Sequence, residues 1–239
     1  MSKDSSATSG SQRLRYGIEA PYVPAAMGAG VALFAVLGVF NRWLLVASAV
    51  FLAQAAIFLY TTTTGKLRVW ESLLDELALR GDETLLDLGC GRGAVLVAAT
   101  RRLPNGIGHG IDLWHNVDQS GNNQATTMVN ARAAGVADRV QLHTGDMREL
   151  PFPNESMDVV TSALAIHNIS DAAGRKQAVA EAWRVLKPGG RLVLVDYRHT
   201  GEYRRILTEL GAGSLTSRGL GFRYWYGGPW AATSPVVRM

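Results

Sequence analysis

The sequence predicts an α/β chain: a doubly wound, mainly parallel sheet preceded by a pair of strongly apolar helices. Three observations carry this. Beyond Gly65, strand-like and helix-like stretches alternate, which is the pattern of parallel strands joined by crossover helices. The stretch "LLDLGCGRGAVLVAA", 85–99, breaks from an apolar run into three glycines and resumes as a helix-like segment. Between Ala20 and Gly65 the only charged residue is Arg42.

The chain has 239 residues, 47% hydrophobic and 18% charged. A charged share below the usual value of about 25% requires one unusually apolar segment. Residues 1–21 form a leader, of which "MSKDSSATSGSQ", 1–12, is small and polar and reads as disordered. Residues 22–62 read as a two-helix transmembrane hairpin. Arg42, beside Asn41, separates the apolar stretches Pro24–Phe40 and Trp43–Tyr60. As helices these would each run roughly 26 Å, a little under the ~30 Å hydrocarbon core. Tyr22, Trp43 and Tyr60 lie at the ends, where interfacial aromatics belong. Two buried helices of a soluble domain, and a re-entrant hairpin reaching one leaflet, are the other readings. Lys3, Arg13, Arg15, Lys66 and Arg68 flank the hairpin, so the positive-inside rule places both ends in the cytoplasm.

Residues 63–239 then form a second unit, of α/β pattern. "KLRVWESLLDELALR", 66–80, has helical spacing through Val69, Leu73, Leu77 and Leu79, with Gly81 as its stop. Strands are predicted at 83–88, 107–112, 138–143, 157–162 and 190–196, with Pro188-Gly189-Gly190 as the turn feeding the last. Residues 217–226 and 231–238 are candidate closing strands. The aromatic stretch "FRYWYGGPW", 222–230, reads as a hairpin turning at Gly227-Gly228-Pro229, or as a cap at an acceptor pocket or membrane interface.

The glycine turn lets backbone amides approach a ligand at a helix N-terminus. Gly89, Gly91 and Ala94 also satisfy the dinucleotide fingerprint, so a nicotinamide cofactor has to be weighed. Asp87, two residues before the first glycine, would repel a pyrophosphate and attract an amino group. About 175 residues are too few for a dehydrogenase with a separate substrate domain. Asp146, in "HTGDM", is placed to accept from an adenine amino group. One cysteine, Cys90, excludes a disulfide framework and a Cys-rich metal site, and no metal is expected. Net charge is +4 with no Lys/Arg run, which speaks against a nucleic-acid partner.

In order along 82–197, about half the chain, these residues resemble the class I S-adenosylmethionine-dependent methyltransferases, in the branch with ubiquinone/menaquinone and sterol methyltransferases. The resemblance implies a Rossmann-like seven-stranded sheet with its last strand antiparallel, and S-adenosylmethionine as cofactor with S-adenosylhomocysteine as product. It carries cofactor contacts onto Asp87, Leu88, Gly89, Cys90 and Gly91, onto Asp112 and Leu113 at the ribose, and onto Gly145, Asp146 and Met147 at the adenine. It carries a further cofactor contact onto Ser162 in "DVVTSALAIHN", the fourth strand and the loop toward the acceptor, and "RVLKPGGRLVLVDY" follows. The stretch "DLWHNVDQSGNN", 112–123, lies outside the general pattern. A lone cysteine excludes arsenite methylation. His167 is the candidate general base for a hydroxyl or thiol acceptor, with Asn168 beside it, or else a residue that orients the loop. His115, Tyr197 and His199 lie on loops able to line an acceptor pocket. The sequence therefore points to a membrane-anchored methyltransferase of a small, lipophilic or lipid acceptor. An NAD(P)-dependent oxidoreductase and a non-catalytic cofactor-binding membrane protein are the alternatives.

Overall fold

The computed structural model describes residues 16–115, 119–226 and 233–238, the last for backbone alone. The leader 1–12, the turn at Gly227-Gly228-Pro229 and residues 116–118 of the "DLWHNVDQSGNN" stretch lie outside the described residues.

The two apolar stretches are helices α1 (Tyr22–Leu37) and α2 (Trp43–Tyr60). Pro24 sits in the first turn of α1, where its missing N–H costs nothing. The chain reverses over Gly38–Arg42, and the Asn41 Oδ1 accepts from the Trp43 N–H at 3.1 Å. The helices pack antiparallel: Phe34 stacks on Phe51 with ring centroids 5.5 Å apart, and Ser48 Oγ donates to the Val31 carbonyl at 2.9 Å. Almost nothing covers their outer faces. No residue of α1 is buried, and Val39, Phe40 and Trp43 are 83%, 86% and 71% exposed. A soluble helix pair would show a polar stripe here.

The second helix does not stop at the predicted domain edge. After Tyr60 it widens into a π-helical turn, Thr61–Gly65, and continues as α3 (Lys66–Glu76), so the helical run Trp43–Glu76 spans 34 residues. By length and composition this is the one run among the described residues that suffices to cross a membrane, whereas α1 is a shorter apolar helix. At Gly65 the helix touches backbone: a Cβ there would lie 2.0 Å from the Arg223 carbonyl. α3 buries Val69, Trp70, Leu73 and Leu74, one amphipathic face turned to the sheet. It ends at Glu76 rather than at 80. Ala78 takes φ +47°, and the N–H groups of Arg80 and Gly81 turn to the fully buried Glu83 carboxylate at 2.7 and 2.8 Å, which Arg191 also meets at 2.9 Å. Satisfying that buried carboxylate requires the chain to leave helical geometry early.

Strands β1 (Thr84–Leu88), β2 (Ile107–Asp112), β3 (Val140–Thr144), β4 (Met157–Ala163) and β5 (Leu186–Val195) pair in parallel in the order β3-β2-β1-β4-β5. Beyond β5, β7 (Thr233–Arg238) pairs antiparallel with both β5 and β6 (Ser214–Gly219). Helices α4 (Ala94–Thr100), α5 (Gln124–Ala133), α6 (Ala172–Val185) and α7 (Thr200–Glu209) make the crossovers. Asn123 and Asp171 cap α5 and α6 by accepting from Thr126 and Gly174 N–H. Alternation along β1 sorts the two cores: Leu85 faces α3 and α4, while Leu86 and Leu88 face α6 and α7.

Two predicted boundaries move. β5 begins at Leu186, not 190: Leu186 pairs with Met157, the register then shifts, and Arg191 pairs with Val159, so the Pro-Gly-Gly stretch is an irregularity within the strand. The candidate strand 217–226 is replaced by β6, ending at Gly219, and a 3₁₀ turn at Phe222–Tyr224.

On the sheet's β2–β3 edge, His109 Nδ1 and His143 Nε2 lie 3.2 Å apart, and both rings pack against Phe152. Burial lowers both pKa values, and the neighbouring His143 charge lowers that of His109 further. A depressed histidine pKa means the folded state favours the neutral ring. The associated stability is present above the unfolded value of about 6.5 and lost as pH falls through the folded pKa. We expect the melting temperature to fall between pH 7 and 5, and to fall less in His143→Gln. Superimposable profiles for the two proteins would remove the pair from the pH response.

Candidate functional site

At the carboxyl ends of β1, β2 and β4 the structure opens a cavity of about 420 Å³. This is the end of an open parallel sheet where ligands bind, and the volume falls in the range of small-molecule sites. Its wall gathers residues from the predicted motifs: Asp87, Gly89, Cys90 and Gly91; Asp112 and Leu113; Gly145, Asp146 and Met147; and Asn168.

The glycine turn is folded back by its neighbours. Gly89 and Cys90 N–H donate to the Ile111 carbonyl at 2.8 and 3.2 Å, and Gly91 N–H donates to Asp112 Oδ2 at 2.8 Å. Gly89 and Gly91 hold φ +65° and +51°. A Cβ would lie 2.3 Å from the Ala165 Cβ at the first and 2.5 Å from Gln119 Oε1 at the second. Neither position accepts a side chain without displacing a neighbour, and both glycines present backbone to the cavity wall.

The acidic residues do different work. Asp87 is buried, and it accepts from the Leu96 N–H at 3.1 Å and the Thr161 hydroxyl at 2.8 Å. Burial pushes its pKa up to about 7 against those two hydrogen bonds, with the Asp112 charge raising it and Lys66 lowering it. Its first task is to tie the turn to α4 and β4, which differs from the free amino-group acceptor expected from sequence. Asp112 accepts from Gly91 N–H, from Trp114 N–H at 2.6 Å and from Asn122 Nδ2 at 3.2 Å. A carboxylate has about four acceptor positions, so one remains for a ligand hydroxyl. Both Asp146 oxygens are held by Arg148, Oδ1 accepting from Nε at 3.0 Å and Oδ2 from Nη2 at 2.6 Å, which lowers the Asp146 pKa. Gly145–Met147 therefore offer the cavity backbone and the Met147 side chain more than a free carboxylate. Burial pushes the Cys90 thiol up, so it stays neutral and packs as a small apolar group.

Other predicted residues do not reach the wall. Leu88 is in the core, and Ser162 Oγ is buried, donating to the Leu88 carbonyl at 3.1 Å. Alternation along β4 points Ser162 away from the cavity. His167 Nδ1 lies 2.8 Å from Asp196 Oδ1, the His167 backbone N–H donates to Asp196 Oδ2 at 3.2 Å, and the ring meets Tyr197 edge-on with centroids 4.5 Å apart. The pair fixes the 3₁₀ turn Ile166–Asn168, leaving Asn168 on the wall and His167 behind it. His115 is on the wall; Tyr197 and His199 are not.

Sequence reasoning missed Glu19, Lys66, Gln119 and Asn122, all on the wall. Lys66 is ion-paired with Glu19, and Gln119 Nε2 donates to Glu19 Oε1 at 3.1 Å. A signal was available: Glu19 and Lys66 are the charges on either side of the nearly uncharged segment 20–65, and a helical hairpin brings its two ends together.

Comparison with known proteins fits this geometry. The family described as "Methyltransferase domain" matches residues 86–194, from the glycine turn through β5. The matched residues make up a little under half of the chain. The chain is 33% identical over 136 residues to the ubiquinone/menaquinone biosynthesis C-methyltransferase of Roseobacter denitrificans, covering 56% of this chain and 51% of that protein. It is 35% identical over 132 residues to the 27-O-demethylrifamycin SV methyltransferase of Amycolatopsis mediterranei, covering 54% and 44%. The chain thus spans about half the length of the curated relatives it matches. The fold is shared with a putative S-adenosylmethionine-dependent methyltransferase of Methanococcus maripaludis, at a TM-score of 0.52 and 15% identity, over 73% of this chain and 87% of that one. The residues of the site fit S-adenosylmethionine: the glycine turn brings backbone to the cavity wall, and Asp112 keeps one acceptor position for a ribose hydroxyl.

Proposed function

We propose that the whole chain is a membrane-anchored methyltransferase that moves a methyl group from S-adenosylmethionine to a small lipophilic acceptor. Its parts are the leader 1–21, a membrane hairpin 22–62 and a cytoplasmic catalytic domain 63–239 built on a seven-stranded Rossmann-like sheet. One observation carries the reading. The apolar helix with exposed sides is the same helix whose continuation puts Lys66 on the wall of the methyltransferase cavity. The cavity thus stands at the base of the apolar pair, where a bilayer-dissolved acceptor is concentrated.

When bound, S-adenosylmethionine supplies a methyl group activated on a sulfonium. The chain's own task is to hold the cofactor and a nucleophile in line and to exclude water. The Gly89–Gly91 backbone and Asp112 hold the nucleoside and sulfur region, and Gly145–Met147 flank the base. Asn168 presents an amide toward the acceptor side. His167, held by Asp196, positions Asn168 from behind. The relatives named for ubiquinone/menaquinone biosynthesis and for 27-O-demethylrifamycin SV support a small-molecule acceptor.

The test offers detergent-solubilised protein methyl-labelled S-adenosylmethionine with a total lipid extract and a soluble metabolite extract in parallel. Label is expected in the lipid fraction. Label in the soluble fraction alone would keep the transferase and sink the lipophilic acceptor. Cofactor binding with no label in either would favour a non-catalytic role.

A further inference from the structure

The matched domain begins at residue 86, yet the cavity wall includes two charges from upstream of it. We propose that Glu19 and Lys66 form the recognition site for the amino-acid end of S-adenosylmethionine, the Lys66 ammonium taking its α-carboxylate and the Glu19 carboxylate its α-ammonium.

Lys66 is 3% exposed. Burying an ammonium costs several kcal/mol even when it is paired, and an apolar residue of the same length at this helical position would avoid that cost. The charge is paired with Glu19 on the cavity wall, where it also lowers the pKa of Asp87. Glu19 is itself held in place: its N–H donates to Thr62 Oγ1 at 3.0 Å, and its backbone bridges Gln119. Gln119 also accepts the Arg92 N–H at 2.8 Å, and its Oε1 occupies the space beside Gly91. The ion pair is thereby bolted to the glycine turn.

The chemistry matches an α-amino acid, which carries an ammonium and a carboxylate on one carbon. A preformed ion pair can exchange its mutual contact for the two complementary charges of such a ligand, leaving no buried charge unpaired. The other charged groups on the wall have work of their own: Asp112 holds the glycine turn and keeps one position for the ribose, and Asp171 caps α6 through the Gly174 N–H. Both oxygens of Asp87 are engaged by Leu96 and Thr161, and Arg148 is locked in a fork with Asp146. The amino-acid end of the cofactor thus falls to residues at the base of the apolar hairpin.

Calorimetric titration of the full-length, detergent-solubilised protein tests this with two ligands. S-adenosylhomocysteine carries the amino-acid end; 5′-methylthioadenosine keeps the nucleoside and sulfur but lacks it. Lys66→Met and Glu19→Gln should each weaken S-adenosylhomocysteine about 10- to 100-fold, the size of a charge-assisted contact. Binding of 5′-methylthioadenosine should stay within about threefold, which also certifies that the variants are folded. Lys66→Arg, which keeps the charge, should recover most of the loss. Equal weakening of both ligands would make the pair structural and overturn the proposal, as would unchanged affinity for S-adenosylhomocysteine. Failure of the unaltered protein to bind either ligand would overturn the cofactor assignment, and this proposal with it.

Discussion

Gly89→Ala is expected to abolish measurable binding of S-adenosylhomocysteine and to lower the melting temperature by roughly 5–15 °C, the shift that about 2–4 kcal/mol produces in a chain of this size. Two costs add. The φ of +65° at Gly89 is a left-handed conformation, worth about 1 kcal/mol or more for any residue with a Cβ. The new methyl would also stand 2.3 Å from the Ala165 Cβ and 3.3 Å from Met147 Cε, an overpacking that costs about 1–3 kcal/mol. Ala165 follows Leu164, itself at φ +56°, so the segment it would push against is already constrained. Relief can come only by lifting the turn away from β4, and that shifts the cavity wall. Differential scanning calorimetry with and without S-adenosylhomocysteine reads both effects. Wild-type stability together with retained binding would show that the turn is looser than described.

Asp112→Ala is the second large effect. A direct ribose contact is worth about 1–3 kcal/mol, a loss of roughly 5- to 150-fold in affinity for S-adenosylhomocysteine. The structure adds to this, because the same carboxylate accepts from Gly91 N–H, Trp114 N–H and Asn122. Alanine would leave these donors without their acceptor, so the glycine turn and the segment after β2 would loosen together. We expect affinity to fall toward the upper end of that range. Asp112→Asn, which retains one carbonyl oxygen, should fall between. Titration calorimetry on the three proteins checks the order, and unchanged affinity in Asp112→Ala would place the ribose elsewhere.

Much of the sheet was legible because its signals are local. Short β-branched and leucine-rich runs bounded by Gly, Pro and Asp placed β1 through β4 within a few residues, and the glycine turn announced itself by composition. The boundaries that moved did so for non-local reasons. The end of α3 is set by Glu83, whose buried carboxylate recruits Arg80, Gly81 and Arg191 from three directions. The start of β5 is set by Leu186 finding Met157 across the sheet. The site followed the same divide. Asp112 and Gly91 could be read from motif spacing, while the Glu19–Gln119 contact joins residues 100 apart and Glu19–Lys66 joins residues 47 apart. The facing of His167 depended on Asp196, a strand away. Motifs name residues near a ligand; which side chains turn toward it is decided by partners that the motif does not contain.

The unbroken run from Trp43 to Glu76 has a consequence for how the protein meets its substrate. A flexible tether would let a catalytic domain tumble and sample every height above a surface. A helix is a shaft: each residue adds 1.5 Å of rise and about 100° of turn. On the anchored reading, the distance of the cavity mouth from the bilayer and the compass direction it faces are both set by counting residues between Tyr60 and Lys66. The π-helical turn in that interval holds one such count, and with it the alignment of the doorway to the lipid.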